Sequence, residues 1–218
     1  MENNSLNELD KVHFLPWMGK DYQNGGIFGK RILVLGESHY CGSCTREMCE
    51  HNFDDCRDFT ISVVSDSYLN KQREYASWMK TFTCFERSLI GEWTDEESRI
   101  KIWNSVAFYN YLQYALDAPG KAGENDAYQK AIEPFYQVLD YCKPELIIVW
   151  GKRLWGWLPG DARWEECESM KFGSLMVDNG YYKLSDDNKA KAFPVYHPSR
   201  GYAWEFWHEV IKHMIESL

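Results

Sequence analysis

The sequence predicts an α/β protein, a three-layer α/β/α sandwich on a mainly parallel central sheet of about four strands. Three observations predict it. Short apolar runs, Ile32-Leu33-Val34-Leu35 and Leu146-Ile147-Ile148-Val149-Trp150, are bounded by turn residues and read as buried strands. Helical periodicity fills the segments between the runs, which implies right-handed crossovers and parallel neighbours. Two polar motifs each directly follow an apolar run: Gly36-Glu37-Ser38-His39-Tyr40 after Ile32-Leu33-Val34-Leu35, and His197-Pro198-Ser199-Arg200 after Phe193-Pro194-Val195-Tyr196. Ligands of open α/β sheets bind beyond the carboxyl ends of strands, so the two motifs are expected to converge.

Residues 1–30 read as an irregular lead-in punctuated by Gly25-Gly26 and Gly29. Residues 31–35 form the first strand, and a cysteine-rich loop covers about 41–57. Helices are expected over 59–69 and 72–90, the first with Ile61, Val64, Tyr68 and Leu69 on one face. Thr94-Asp95-Glu96-Glu97 fits a capping box with Thr94 as the cap. Val106-Ala107-Phe108-Tyr109 reads as the second strand. Residues 126–141 are helical, with Pro134 kinking or dividing them. A short helix starts at Gly151. Asn179-Gly180 within 175–184 signals a tight hairpin, an appendage or an edge of the sheet. Residues 192–196 form the last strand, and an amphipathic helix from about residue 203 closes the chain.

The 218 residues suit a single domain spanning 1–218, with no repeat or linker to divide it. Aromatic residues make up 16%, which reads as an aromatic core. No apolar stretch approaches the ~18–20 residues that cross a bilayer, so no membrane partner is expected. The first residues lack a secretory pattern, which points to the cytoplasm. There, seven cysteines argue against a disulfide framework. A net charge of −9 opposes non-specific nucleic-acid binding, although residues 147–201 hold 8 basic against 7 acidic residues.

The order of these motifs resembles the uracil-DNA glycosylase superfamily. Gly36-Glu37-Ser38-His39-Tyr40 stands where the family has its water-activating loop, and Val106-Ala107-Phe108-Tyr109-Asn110 where it has its middle strand and base-reading Asn. Lys143-Pro144-Glu145, the apolar strand and Gly151 look like another family segment, and His197-Pro198-Ser199 like its final motif. The resemblance covers about residues 30 to 201 and implies release of uracil or a modified base from DNA. The alternative is a non-catalytic module on the same fold that binds a nucleotide, a nucleobase or a protein.

The resemblance assigns roles residue by residue. His197 would donate to the carbonyl oxygen of the leaving base; the alternative is a histidine capping a strand end. Gly36 would admit close backbone approach, and Glu37 would stand beside the attacking water. Where Ser38 and His39 stand, active families often have Asp and Pro. Serine is a poor base near neutral pH. Either Glu37 or His39 substitutes, or water attack is unassisted, or the protein is not a glycosylase. Tyr40 matches an aromatic that blocks a 5-methyl group, or packs under the loop. Asn110 or Asn104 would read a pyrimidine edge, and strand geometry favours Asn110. Phe82 or Phe85 would stack on the base or pack in the core. Ser199 and Arg200 would contact the substrate, the latter through phosphate, and Tyr202 would act as a wedge in the duplex, or these would be a surface Arg and a Tyr docking the last helix.

Cys41, Cys44, Cys49 and Cys56 lie close in sequence, with His51 among them and His39 two residues before Cys41, a spacing that can hold zinc. The 4Fe–4S cysteine pattern of some glycosylase families differs and is not carried over. The alternative is a set of free thiols.

Overall fold

The computed structural model describes residues 9–41, 56–72, 74–118, 120–199 and 201–218. Its centre is one seven-stranded sheet in the order β1-β3-β2-β4-β7-β6-β5. The strands are β1 (Trp17–Met18), β2 (Ile32–Gly36), β3 (Val106–Asn110), β4 (Leu146–Trp150), β5 (Trp164–Phe172), β6 (Leu175–Lys183) and β7 (Lys189–Val195). β2 pairs in parallel with β3 and β4, and β4 with β7. β1/β3, β5/β6 and β6/β7 are antiparallel.

This overturns the expected three-layer sandwich on about four mainly parallel strands, because half of the neighbour pairs in a larger, mixed sheet are antiparallel. The physical reason lies in residues 164–183. β5 is Trp-Glu-Glu-Cys-Glu-Ser-Met-Lys-Phe, largely open to solvent, so it carries no apolar run. Asn179-Gly180 is not a turn but lies inside β6. A Cβ on Gly180 would stand 2.4 Å from the Trp164 ring, so the glycine serves close cross-strand packing. The chain reverses instead at Gly173, whose φ is +59°. The hairpin is therefore continuous with the sheet through β6/β7 rather than an appendage.

The helices are α1 (Phe59–Ser62), continued by a π-helical stretch over Val63–Tyr68, then α2 (Met79–Ile90), α3 (Glu96–Asn104), α4 (Asn125–Lys130), α5 (Ile132–Cys142), α6 (Lys152–Trp155) and α7 (Trp204–Glu216). Alternation along the strands splits the core in two. Leu33, Leu35, Tyr109, Ile147 and Val149 pack with Tyr128, Phe135 and Leu139 of α4 and α5. Ile32, Val34, Phe108, Ile148 and Trp150 pack with Phe82 and Phe85 of α2, Trp103 of α3 and Trp207 of α7.

Local chemistry shifts several boundaries. Asp95, not Thr94, caps α3, because its carboxylate accepts from the Ser98 amide while the Ser98 hydroxyl receives the Asp95 N–H. The Thr94 hydroxyl donates to Glu86 instead. The helix break near Pro134 falls at Ala131, which leaves the proline in the first turn of α5, where its missing N–H costs nothing. α2 begins at Met79, with Trp78 as its N-cap, rather than at residue 72. Among the described residues no helix is long and apolar enough to cross a membrane.

Candidate functional site

The carboxyl ends of β2, β3, β4 and β7 place Gly36-Glu37, Asn110, Gly151 and His197 at one end of the sheet. Gly36 is registered with Asn110, and a Cβ on it would stand 2.2 Å from Asn110 Oδ1. Only glycine lets the amide lie across the end of β2. Gly151 has φ +98°, and a Cβ there would contact the His197 Cβ at 3.5 Å. Its N–H donates to the Val195 carbonyl at 2.9 Å, joining β4 to the chain that leads into His197.

Glu37 is buried, and both its oxygens are taken. The Tyr128 hydroxyl donates to Oε1. Arg153, on α6, donates from Nε to Oε2 at 2.9 Å, and its Nη2 also stands 2.9 Å from that oxygen. The same guanidinium donates to the carbonyls of Gly120 (3.2 Å) and Lys121 (3.1 Å). Tyr128 stacks on Trp157 with ring centroids 4.6 Å apart. Burial, together with the adjacent carboxylate, pushes its phenol above the ordinary range. The sequence reading missed Tyr128 and Arg153. A cation two residues beyond Gly151, the glycine that follows β4, was the available signal for the second.

His39 is buried between Phe14 and Phe59, at centroid distances of 4.9 and 4.6 Å. Its Nε2 is 2.8 Å from Thr60 Oγ1, on α1. The Asn110 amide nitrogen lies 3.1 Å from Nε2 and 3.2 Å from Nδ1. Loss of solvation, with His13 nearby, drives its pKa down to about 3. His39 is therefore a neutral, buried residue engaged with Thr60 and Asn110. Its bond with Asn110 also ties up the amide expected to read a base. Ser38 Oγ is buried and has no hydrogen-bond partner among the described residues. Tyr40 is exposed, and its hydroxyl accepts weakly from the Gly120 N–H at 3.4 Å.

His197 reaches solvent, with its ring 6.3 Å from Trp150. The Ser199 N–H donates to Nδ1 at 3.3 Å, and Ser199 Oγ stands 2.8 Å from the same atom. Nδ1 is thus an acceptor, so the neutral ring carries its proton on Nε2. Desolvation lowers its pKa. Glu37 opposes that shift and Arg153 adds to it. The site therefore presents a neutral N–H donor beside a carboxylate–guanidinium pair.

The other expected residues fall as follows. Tyr202 is packed, not presented as a wedge. Its ring lies parallel to Trp207 at 6.1 Å, and its hydroxyl meets Ser88 Oγ at 2.8 Å. Phe82 and Phe85 are core residues against Trp150. Asn104 ends α3, at the amino end of β3. Arg200, Cys44 and Cys49 lie outside the described residues, while Cys41 and Cys56 are half-buried. Among the described residues, no three His, Cys, Asp or Glu side chains are grouped to hold a metal ion. No protein-family model matches the chain, and no curated protein matches it.

Proposed function

We propose that the chain is a divergent hydrolase of the uracil-DNA glycosylase type, which releases uracil or a modified base from DNA. One observation carries the reading: a neutral His197, with its proton on Nε2, stands at the convergent strand ends. In such a reaction the bond from the sugar C1′ to the base nitrogen breaks. Its electron pair moves into the base and builds charge on a ring carbonyl oxygen. A donor aimed at that oxygen stabilises the charge as it forms, an effect worth about 10²–10³ in rate for a single donor. Water adds its oxygen to C1′ and loses a proton to solvent. Glu37 acts on this step through its charge, since both its oxygens are already hydrogen-bonded.

A second reading, a nucleobase-binding module without catalysis, is favoured by a different observation. Glu37 and His39, the two residues expected to replace the family's base, are both fully engaged within the protein. Incubating the protein with labelled oligonucleotides that contain uracil or hypoxanthine, beside His197→Ala, tests the first reading. Base release that disappears in the variant supports it. Saturable binding without release supports the second.

A further inference from the structure

We propose that an open pocket of about 230 Å³ between the π-helical end of α1 and the start of α3 binds a phosphomonoester carried on a planar ring. The proposal does not depend on the base-releasing reading.

The pocket is built on a buried carboxylate. Glu86, on α2, is fully buried, and four donors reach it: the hydroxyls of Tyr68 (2.8 Å) and Thr94, Trp103 Nε1 (3.2 Å) and Arg99 Nε (3.3 Å). A carboxylate in this setting requires a cation and several hydrogen bonds. Arg99 supplies the cation through Nε alone, which also donates to Tyr68 Oη at 3.1 Å. Neither Nη of Arg99 bonds to a described residue. The fork is held in place from behind, so most of the cost of ordering it is already met before a ligand arrives.

The lining around that fork is rich in donors. Ser67 and Asn70 line it, and Asn70 uses its Oδ1 to accept from the Gln72 amide, which leaves its NH₂ group. Lys71 lines it as well, in an exposed pair with Glu96 at 3.3 Å among the described residues. Glu96 is the one anionic side chain among the described lining residues. Donors on two separate segments, residues 67–71 and Arg99, suit the several oxygens of a tetrahedral dianion better than a planar carboxylate. The Tyr75 ring, 65% exposed at the same pocket, offers a face for a planar group.

The test is calorimetric titration of the whole protein with adenosine 5′-monophosphate, adenosine and inorganic phosphate. The expected result is one monophosphate per chain, with adenosine weaker by at least about tenfold and phosphate competing for the same site. Lys71→Gln and Arg99→Lys should each weaken the monophosphate by about tenfold. Tyr75→Ala should weaken the monophosphate but not phosphate, and His197→Ala should leave the affinity for the monophosphate unchanged. Equal binding of adenosine and its monophosphate would overturn the proposal, as would insensitivity to Lys71→Gln, loss in His197→Ala, or no binding at millimolar ligand. If Arg99→Lys fails to fold around Glu86, the exposed rim variants Lys71→Gln and Tyr75→Ala decide the matter.

Discussion

The backbone N–H of Ser199 donates to Nδ1 of His197 across 3.3 Å. That bond fixes the tautomer. With Nδ1 accepting, a neutral imidazole has only Nε2–H left to offer. The charges around the ring then act in opposite senses, since Glu37 favours the imidazolium and Arg153 disfavours it. Loss of solvation is the largest influence and lowers the pKa from 6.5. An NMR titration of the His197 ring should therefore give a midpoint below 6.5. Glu37→Gln should move it further down, and Arg153→Met should move it up. A wild-type midpoint above 6.5, or shifts of the same sign in both variants, would contradict this electrostatic account.

The pair of Glu37 and Arg153 is asymmetric. The Glu37 side chain is 8% exposed and that of Arg153 43%. Arg153→Met strands a buried carboxylate and should cost about 2–3 kcal/mol, somewhat below the figure for a fully buried pair. Adding Glu37→Gln should return much of the loss, because the stranded charge is then gone. Urea denaturation of the two single variants and the double measures the coupling. Additive losses would mean that the pair is not coupled as the geometry implies.

His39 should make the fold acid-sensitive over a defined window. Its folded pKa is about 3, against an ordinary 6.5. Between those values the unfolded chain takes up a proton that the folded chain refuses. Stability from this group is complete above pH 6.5 and falls as pH drops towards 3, by about 1.4 kcal/mol per unit. His39→Gln cannot take up that proton. Between pH 6 and pH 5 the wild type should lose about 1 kcal/mol more than the variant in chemical denaturation. Identical pH slopes would refute the assignment.

Gly36 and Asn110 should behave as a unit. Gly36→Ala drives a methyl to 2.2 Å from Asn110 Oδ1 and should cost about 2 kcal/mol. Most of that cost should vanish in an Asn110→Ala background, where the obstruction is removed. An unchanged cost would place the strain elsewhere, for example at the Phe108 ring 3.3 Å away.

The four buried strands β2, β3, β4 and β7 were legible because apolar runs are how buried strands declare themselves. β5 and the true course of β6 were not. A solvent-facing strand of Glu, Cys, Ser and Lys has no such signature, and Gly180 is glycine because of the Trp164 ring, a contact across strands that local turn chemistry cannot reveal. The site divides the same way. Glu37, Asn110 and His197 could be placed at strand ends from the motifs alone. Sequence could not show that Tyr128 and Arg153, from α4 and α6, saturate Glu37, or that Phe14 and Phe59 enclose His39. Tyr202 was expected at the substrate, but its fate was set by Trp207 and Ser88 on two different helices.

The most direct measurement is base release from uracil- and hypoxanthine-containing oligonucleotides by the wild type and by His197→Ala. Because His197 is exposed, the variant should keep the thermal stability of the wild type. The expected result is release by the wild type and a fall of at least about a hundredfold in the variant. Full activity in His197→Ala, or no release from any substrate by folded wild-type protein, would contradict it.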